Sequence, residues 1–204
     1  MIGRRGRFAA GRASRPRTAT RPAPDRRSAA RSTAVLLLTA CVLASGCTST
    51  GADSDSSRGA PKLTRATVTK HTDGDTAHMR LTDGAEETVR FIGIDSPEVG
   101  ERLEPYGEAA SAYTADAIPL GTTAWLEFDV ERRDQYGRLL AYVWLEKPAD
   151  RSEGEVRAKM LNAQLVLDGY AHAVTYPPNV AYTEMLRRFQ TEAREAERGL
   201  WAGQ

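Results

Sequence analysis

The sequence predicts an α+β domain in which five short strands close into a small barrel with three helices around it. Three observations predict this. Five segments between residues 65 and 145 have the sizes and alternation of strands. Three further segments carry helical spacing, and two of them end at a glycine, Gly169 and Gly199. Asp-Gly pairs punctuate the strands with the turn chemistry that hairpins need.

Taken in order, residues 65–71 form a Thr-rich first strand. In 76–82, Ala77, Met79 and Leu81 alternate with Thr76, His78 and Arg80, the pattern of a half-buried strand. Asp83-Gly84 makes the turn, and 87–94 returns with apolar residues on both faces, as in a strand covered on both sides. Residues 106–117 are an Ala- and Glu-rich helix with Ala109, Ala110, Tyr113 and Ala117 on one stripe. In 122–130, Ala124, Leu126, Phe128 and Val130 share a face, and in 138–145 Leu139, Ala141, Val143 and Leu145 do so. Helices are expected over 158–168, with Leu161 and Leu165 four apart, and over 182–197, with Met185, Leu186, Phe189 and Ala193 on one side. Five alternating strands joined by short turns suit a barrel of the oligonucleotide-binding type, the OB-fold.

The domain is expected over residues 63–202. Residues 1–46 read as an export signal: an Arg-rich start with Asp25 its lone carboxylate, then the apolar run from Thr33 to Ala44. That run is shorter than the roughly 20 residues a membrane-spanning helix requires. Leu43-Ala44-Ser45-Gly46-Cys47 resembles a bacterial lipobox, which makes Cys47 a lipidation site and places the chain outside the cytoplasm on a membrane. Ala44 stands where leucine is favoured, so cleavage that releases a free protein is the alternative; Arg26-Arg27 also admits twin-arginine export. Residues 47–62 are a Ser-, Asp- and Gly-rich tether. Both cysteines, Cys41 and Cys47, precede the domain, which therefore relies on its core without an internal disulfide. Residues 47–204 carry 18 Lys+Arg against 26 Asp+Glu, a formal net charge of −8. Such a balance excludes a broad basic surface for polyanions, so any contact with nucleic acid needs local arginines and a cation at the site.

Three clusters carry chemistry. Asp73-Gly74-Asp75-Thr76 lies between the first two strands and, taken alone, is an acidic tight turn. Arg90-Phe91-Ile92-Gly93-Ile94-Asp95-Ser96-Pro97-Glu98 puts an arginine in an apolar strand, a costly placement unless it meets an anion. In a straight strand Arg90 and Asp95 point to opposite faces, so they share a site only if the chain bends or bulges, and Gly93 is the expected place. Arg133-Asp134-Gln135-Tyr136-Gly137-Arg138 is the turn before the fifth strand. Together the clusters are more specific. Carboxylates of Asp75 and Asp95 suit a hard cation, Ca²⁺ or Mg²⁺. Arg90 and Arg138 can clamp a phosphate and offset the charge of five-coordinate phosphorus. Glu98 remains as a carboxylate able to orient or deprotonate water.

The order D-G-D-T, R-x-x-G-I-D-S-P-E, Y-G-E-A-A, D-x-Y-G-R-x-L-A-Y and a final Gly-Leu-Trp resembles the staphylococcal nuclease family over roughly residues 64–202. The resemblance implies an OB-fold barrel with three helices and a Ca²⁺-dependent enzyme that cleaves DNA and RNA to 3′-phosphates. It implies metal ligation by Asp75, Asp95 and the Ser96 carbonyl, phosphate binding by Arg90 and Arg138, and action of Glu98 on the attacking water. Tyr136 and Tyr176 would lie beside the nucleotide. The chain departs from the pattern at Gln135, where the family often has lysine, and at Val174, where it has a second tyrosine. Between them these changes leave the site weaker in base stacking and in positive charge. The expected partners are nucleic acid and, through Cys47, a membrane; nothing in the sequence demands a dimer. The rival reading is a non-catalytic barrel that binds nucleic acid or protein.

Overall fold

The computed structural model describes residues 59–100 and 104–203. The expected signal, Cys47 and most of the tether lie outside the described residues. The strands are β1 (Leu63–His71), β2 (Thr76–Leu81), β3 (Glu86–Phe91), β4 (Ile94–Asp95), β5 (Thr123–Glu127), β6 (Leu139–Trp144) and β7 (His172–Ala173). The α-helices are α1 (Gly107–Ala117), α2 (Glu153–Lys159), α3 (Leu161–Leu167) and α4 (Thr183–Glu195), followed by a 3₁₀ turn over Gly199–Trp201.

Five strands close a barrel in the order β1-β2-β3-β6-β5, and β4 and β7 form a separate two-stranded ribbon. Every barrel pairing is antiparallel except β3 with β6, where Arg90 lies opposite Leu140. The β2–β3 hairpin turns on Gly84 at φ 90°, and the Asp83 carboxylate accepts the Ala85 N–H at 3.0 Å. Val68, Met79, Val89, Phe91, Leu126 and Val143 are buried in one continuous apolar core that also takes in α3 and α4. At about 1.5–3 kcal/mol for each fully buried large side chain, this core is the principal favourable term holding the barrel together.

The structure corrects the expected elements in four places. The helix expected over 158–168 is present as α3, and an unexpected helix, α2, precedes it, giving four α-helices among the described residues. Met160 breaks them at φ −93°, ψ 118°, because its backbone bridges to Trp144 of β6 while the Leu145 N–H donates to the Lys159 carbonyl at 2.8 Å. Pairing with the end of β6 overrides helical spacing there. The third strand stops at Phe91 rather than continuing to residue 94. β5 ends at Glu127, not residue 130, leaving Val130 72% exposed. Glu127, its last residue, has a buried carboxylate that accepts from Trp144 Nε1 at 3.0 Å, Tyr182 Oη at 2.8 Å and Arg151 Nε at 2.7 Å. A buried carboxylate with three donors is stable where a lone one would not be. In α1 the buried stripe is Gly107, Ala110 and Thr114, shifted from the expected one.

Candidate active site

The site begins with a bend. After β3, the Ile92 N–H donates to the Ala141 carbonyl at 2.9 Å, and Gly93 takes φ +78°, a left-handed conformation that side chains other than glycine adopt at a cost. The Gly93 carbonyl then accepts the Val174 N–H at 3.0 Å, and the chain enters β4, paired with β7. Buried Asn162 of α3 fixes the approach by accepting the Val143 N–H and donating to the Ile92 carbonyl, both at 2.8 Å. The expected reorientation at Gly93 is therefore present, and it carries Asp95 round to the side of Arg90. Arg90 Nη2 donates to Asp95 Oδ1 at 2.6 Å, and its Nη1 pairs with Asp75 Oδ1. This explains the arginine in an apolar strand: its side chain is 15% exposed and meets two carboxylates, with Asp75 at 6% and Asp95 at 51%.

Asp75 is tied down from several directions. Its Oδ2 accepts the Ser96 N–H at 2.6 Å, and its Oδ1 accepts the Thr76 hydroxyl at 3.1 Å. Gly74 makes this approach possible, since a Cβ there would lie 2.8 Å from the Ser96 side chain. Asp73, which the sequence reading did not select as a ligand, also belongs here. It accepts the Asp75 N–H at 3.0 Å; burial pushes its carboxyl up, while the charges of Arg90 and Arg138 pull it back only partly.

Arg138 arrives from the turn between β5 and β6. Its Nε donates to Asp134 Oδ2 at 2.6 Å, and its guanidinium carbon sits 5.5 Å from the centre of the Tyr136 ring. Arg90, Arg138, Tyr136, Tyr176, Glu131 and Asn179 line one open cleft of about 500 Å³. Its far wall is built by Asn179, which accepts the Glu131 N–H at 2.8 Å and donates to the Glu131 carbonyl at 2.9 Å. The Pro177–Pro178 peptide beside it is cis. Tyr136 and Tyr176 are both exposed, 74% and 66%.

Of the residues expected to act together, Asp75, Arg90 and Asp95 touch directly, Ser96 joins them through its N–H, and Arg138 and the two tyrosines share the cleft with Arg90. Glu98 stands apart. Its side chain is exposed, its N–H donates to Glu104 Oε2 at 3.2 Å, and its carbonyl accepts the Glu104 N–H at 2.9 Å, next to the start of α1. Among the described residues no group of three or more His, Cys, Asp or Glu side chains clusters as a cation site. The donor chemistry nevertheless fits a hard cation. Asp75 and Asp95 are all-oxygen donors close enough to share one positive group, the Arg90 guanidinium. Asn162 and Asn179 lie outside the three clusters, and Asp134, inside the third, has no role assigned from the sequence. The four-residue spacing from Asp134 to Arg138 was a usable signal; a buried asparagine leaves none.

These features define a class: a barrel of the OB-fold whose open cleft holds two guanidinium groups, one of them backed by a carboxylate pair. Residues 88–203 match the family described as staphylococcal nuclease homologue. The chain is 39% identical over 132 residues to a thermonuclease of Staphylococcus intermedius, covering 63% of this chain and 71% of that protein. It is 35% identical over 133 residues to a thermonuclease of Staphylococcus hyicus, covering 64% and 71%. It is 33% identical over 151 residues to the endonuclease YncB of Bacillus subtilis, covering 72% of this chain and 65% of that protein. The chain belongs to the staphylococcal nuclease homologue family.

Proposed function

We propose that this protein is a Ca²⁺-dependent nuclease that hydrolyses DNA, RNA or both to 3′-phosphate products. The observation that carries the reading is the presence of Arg90 and Arg138 on one cleft, with Asp75 and Asp95 in contact with Arg90. Thermonuclease and endonuclease relatives support the same class of reaction. In this reading Asp75, Asp95 and the Ser96 carbonyl hold the cation, which when bound adds positive charge beside the scissile phosphate. Arg90 and Arg138 bind that phosphate and stabilise the charge that grows on its oxygens. Glu98, exposed and outside the lining of this cleft, turns toward it to orient or deprotonate the water. The water oxygen bonds to phosphorus, the bond from phosphorus to the 5′ oxygen breaks, and that oxygen takes a proton, leaving a 5′-hydroxyl and a 3′-phosphate. Tyr136 and Tyr176 offer exposed ring faces for bases, a contact worth about 1–3 kcal/mol per stacked base.

The basic, then apolar, leader and Cys47 support export, with a lipid anchor on the outer membrane face or release after cleavage. Digestion of single- and double-stranded oligonucleotides by the purified protein, with Ca²⁺ and with a chelator, tests the activity. Hydrolysis that needs Ca²⁺ and leaves 3′-phosphate ends is the expected result. No hydrolysis at any Ca²⁺ concentration would leave a binding barrel instead.

A further inference from the structure

The turn that delivers Arg138 is organised around a single carboxylate. Asp134 Oδ1 accepts two backbone N–H groups, those of Tyr136 at 3.0 Å and Arg138 at 2.9 Å, while Oδ2 accepts Arg138 Nε at 2.6 Å. The Asp134 N–H in turn donates to the Arg138 carbonyl at 3.1 Å, so the two residues close the turn on each other. The turn is also anchored from outside. Arg133 makes a two-pronged ion pair with Glu87 of β3, at 2.9 and 2.6 Å, and donates to the Gly137 carbonyl at 2.7 Å. Burial alone would push the Asp134 carboxyl up, but the bonds from Arg138 outweigh it and hold the group below the ordinary Asp range. Asp134 is therefore ionised wherever a nuclease operates near neutral pH.

A guanidinium has five N–H donors in a rigid fork. With Nε committed to Asp134, the two Nη groups of Arg138 have no hydrogen-bond partner among the described residues and lie on the wall of the cleft they share with Arg90. We infer that Asp134 is a positioning residue: it locks Arg138 through Nε so that both Nη groups face the phosphoryl group. The inference rests on the phosphate-binding role proposed for Arg138 and adds to it the group that sets its geometry. An arginine on an exposed turn has many rotamers, and ordering it before substrate arrives removes that entropy from the reaction barrier.

Asp134→Asn separates positioning from turn structure. The asparagine Oδ1 still accepts the two backbone N–H groups, but an NH₂ now faces Arg138 Nε, donor against donor. The expected result is a fall in kcat of about 10²-fold, the cost of an ångström-scale misplacement, read at temperatures where the variant is fully folded. In an Arg138→Ala background Asp134→Asn should have almost no further effect, since the residue it positions is gone. The Nε–H proton resonance of Arg138 supplies a readout without turnover: it should exchange slowly with solvent in the wild type and quickly in Asp134→Asn. An equal fall in kcat with and without Arg138, or an Nε–H that exchanges alike in both proteins, would overturn the assignment. Should the wild type cleave nothing, the nuclease reading fails, and the exchange rate still decides whether Asp134 holds Arg138.

Discussion

Replacing Gly93 by alanine tests the bend on which the site depends. Gly93 sits at φ +78°, and an L-residue in left-handed backbone costs about 1–2 kcal/mol. The new Cβ would also lie 2.7 Å from Cδ1 of Leu186, well inside the carbon–carbon optimum of about 3.5–4.0 Å. Leu186 is 1% exposed, so its methyl group must move within a packed core, and overpacking of this kind costs about 1–3 kcal/mol. The two effects together give about 2–5 kcal/mol, a large part of the 5–15 kcal/mol that holds a typical domain folded. Urea unfolding followed by tryptophan fluorescence measures it. Activity should fall as well, at temperatures where the variant is fully folded, because the Arg90–Asp95 contact of 2.6 Å spans the bend. Adding Leu186→Ala removes the overlap but not the backbone strain, so the pair should be less destabilising than the sum of its parts. A Gly93→Ala protein within about 0.5 kcal/mol of wild type, and equally active, would refute the reasoning.

Asn162→Leu strips partners from the buried Val143 N–H and Ile92 carbonyl, at about 1–3 kcal/mol for each unsatisfied group, so the urea midpoint should drop clearly; an unmoved midpoint contradicts it. Arg138→Ala or Glu98→Gln should lower kcat by about 10²-fold or more with the circular dichroism spectrum intact, and unchanged turnover would remove the role of whichever residue was altered. The stability difference between wild type and Asp134→Asn should be flat with pH above the ordinary Asp value of about 3.9. It should shrink as pH falls through the lowered folded-state value, because a depressed carboxyl stabilises only while ionised. A difference that grew in acid would contradict that sign. With a net charge of −8 on residues 47–204, DNA association should be slow and helped by divalent ions, and a steep loss of binding with added monovalent salt would speak against it.

Most of the barrel was legible because its strands obey simple alternation. Met79 and Ala77 point inward, Arg80 outward, and the register β2 makes with β1 and β3 follows. The elements that misled share one cause, tertiary context that periodicity does not carry. Met160 breaks the helical run because β6 offers it a partner, and Glu127 is buried at the end of β5 because Trp144, Tyr182 and Arg151 converge on its carboxylate. The reactive residues were legible as types in motif order, and the parity conflict between Arg90 and Asp95 even located the bend at Gly93. What supports them was hidden. Asn162 and Asn179 act on backbone groups 70 and 48 residues away, separations that local reading does not reach.

The central claim is that Arg90 and Arg138 serve one phosphoryl group. Single-turnover cleavage of a defined oligonucleotide by Arg90→Lys, Arg138→Lys and the double variant tests it most directly, since lysine keeps the charge but loses the fork. The account predicts strong coupling, with the double variant losing far less rate than the product of the two single losses. Losses that simply multiply, as for independent sites, would contradict it.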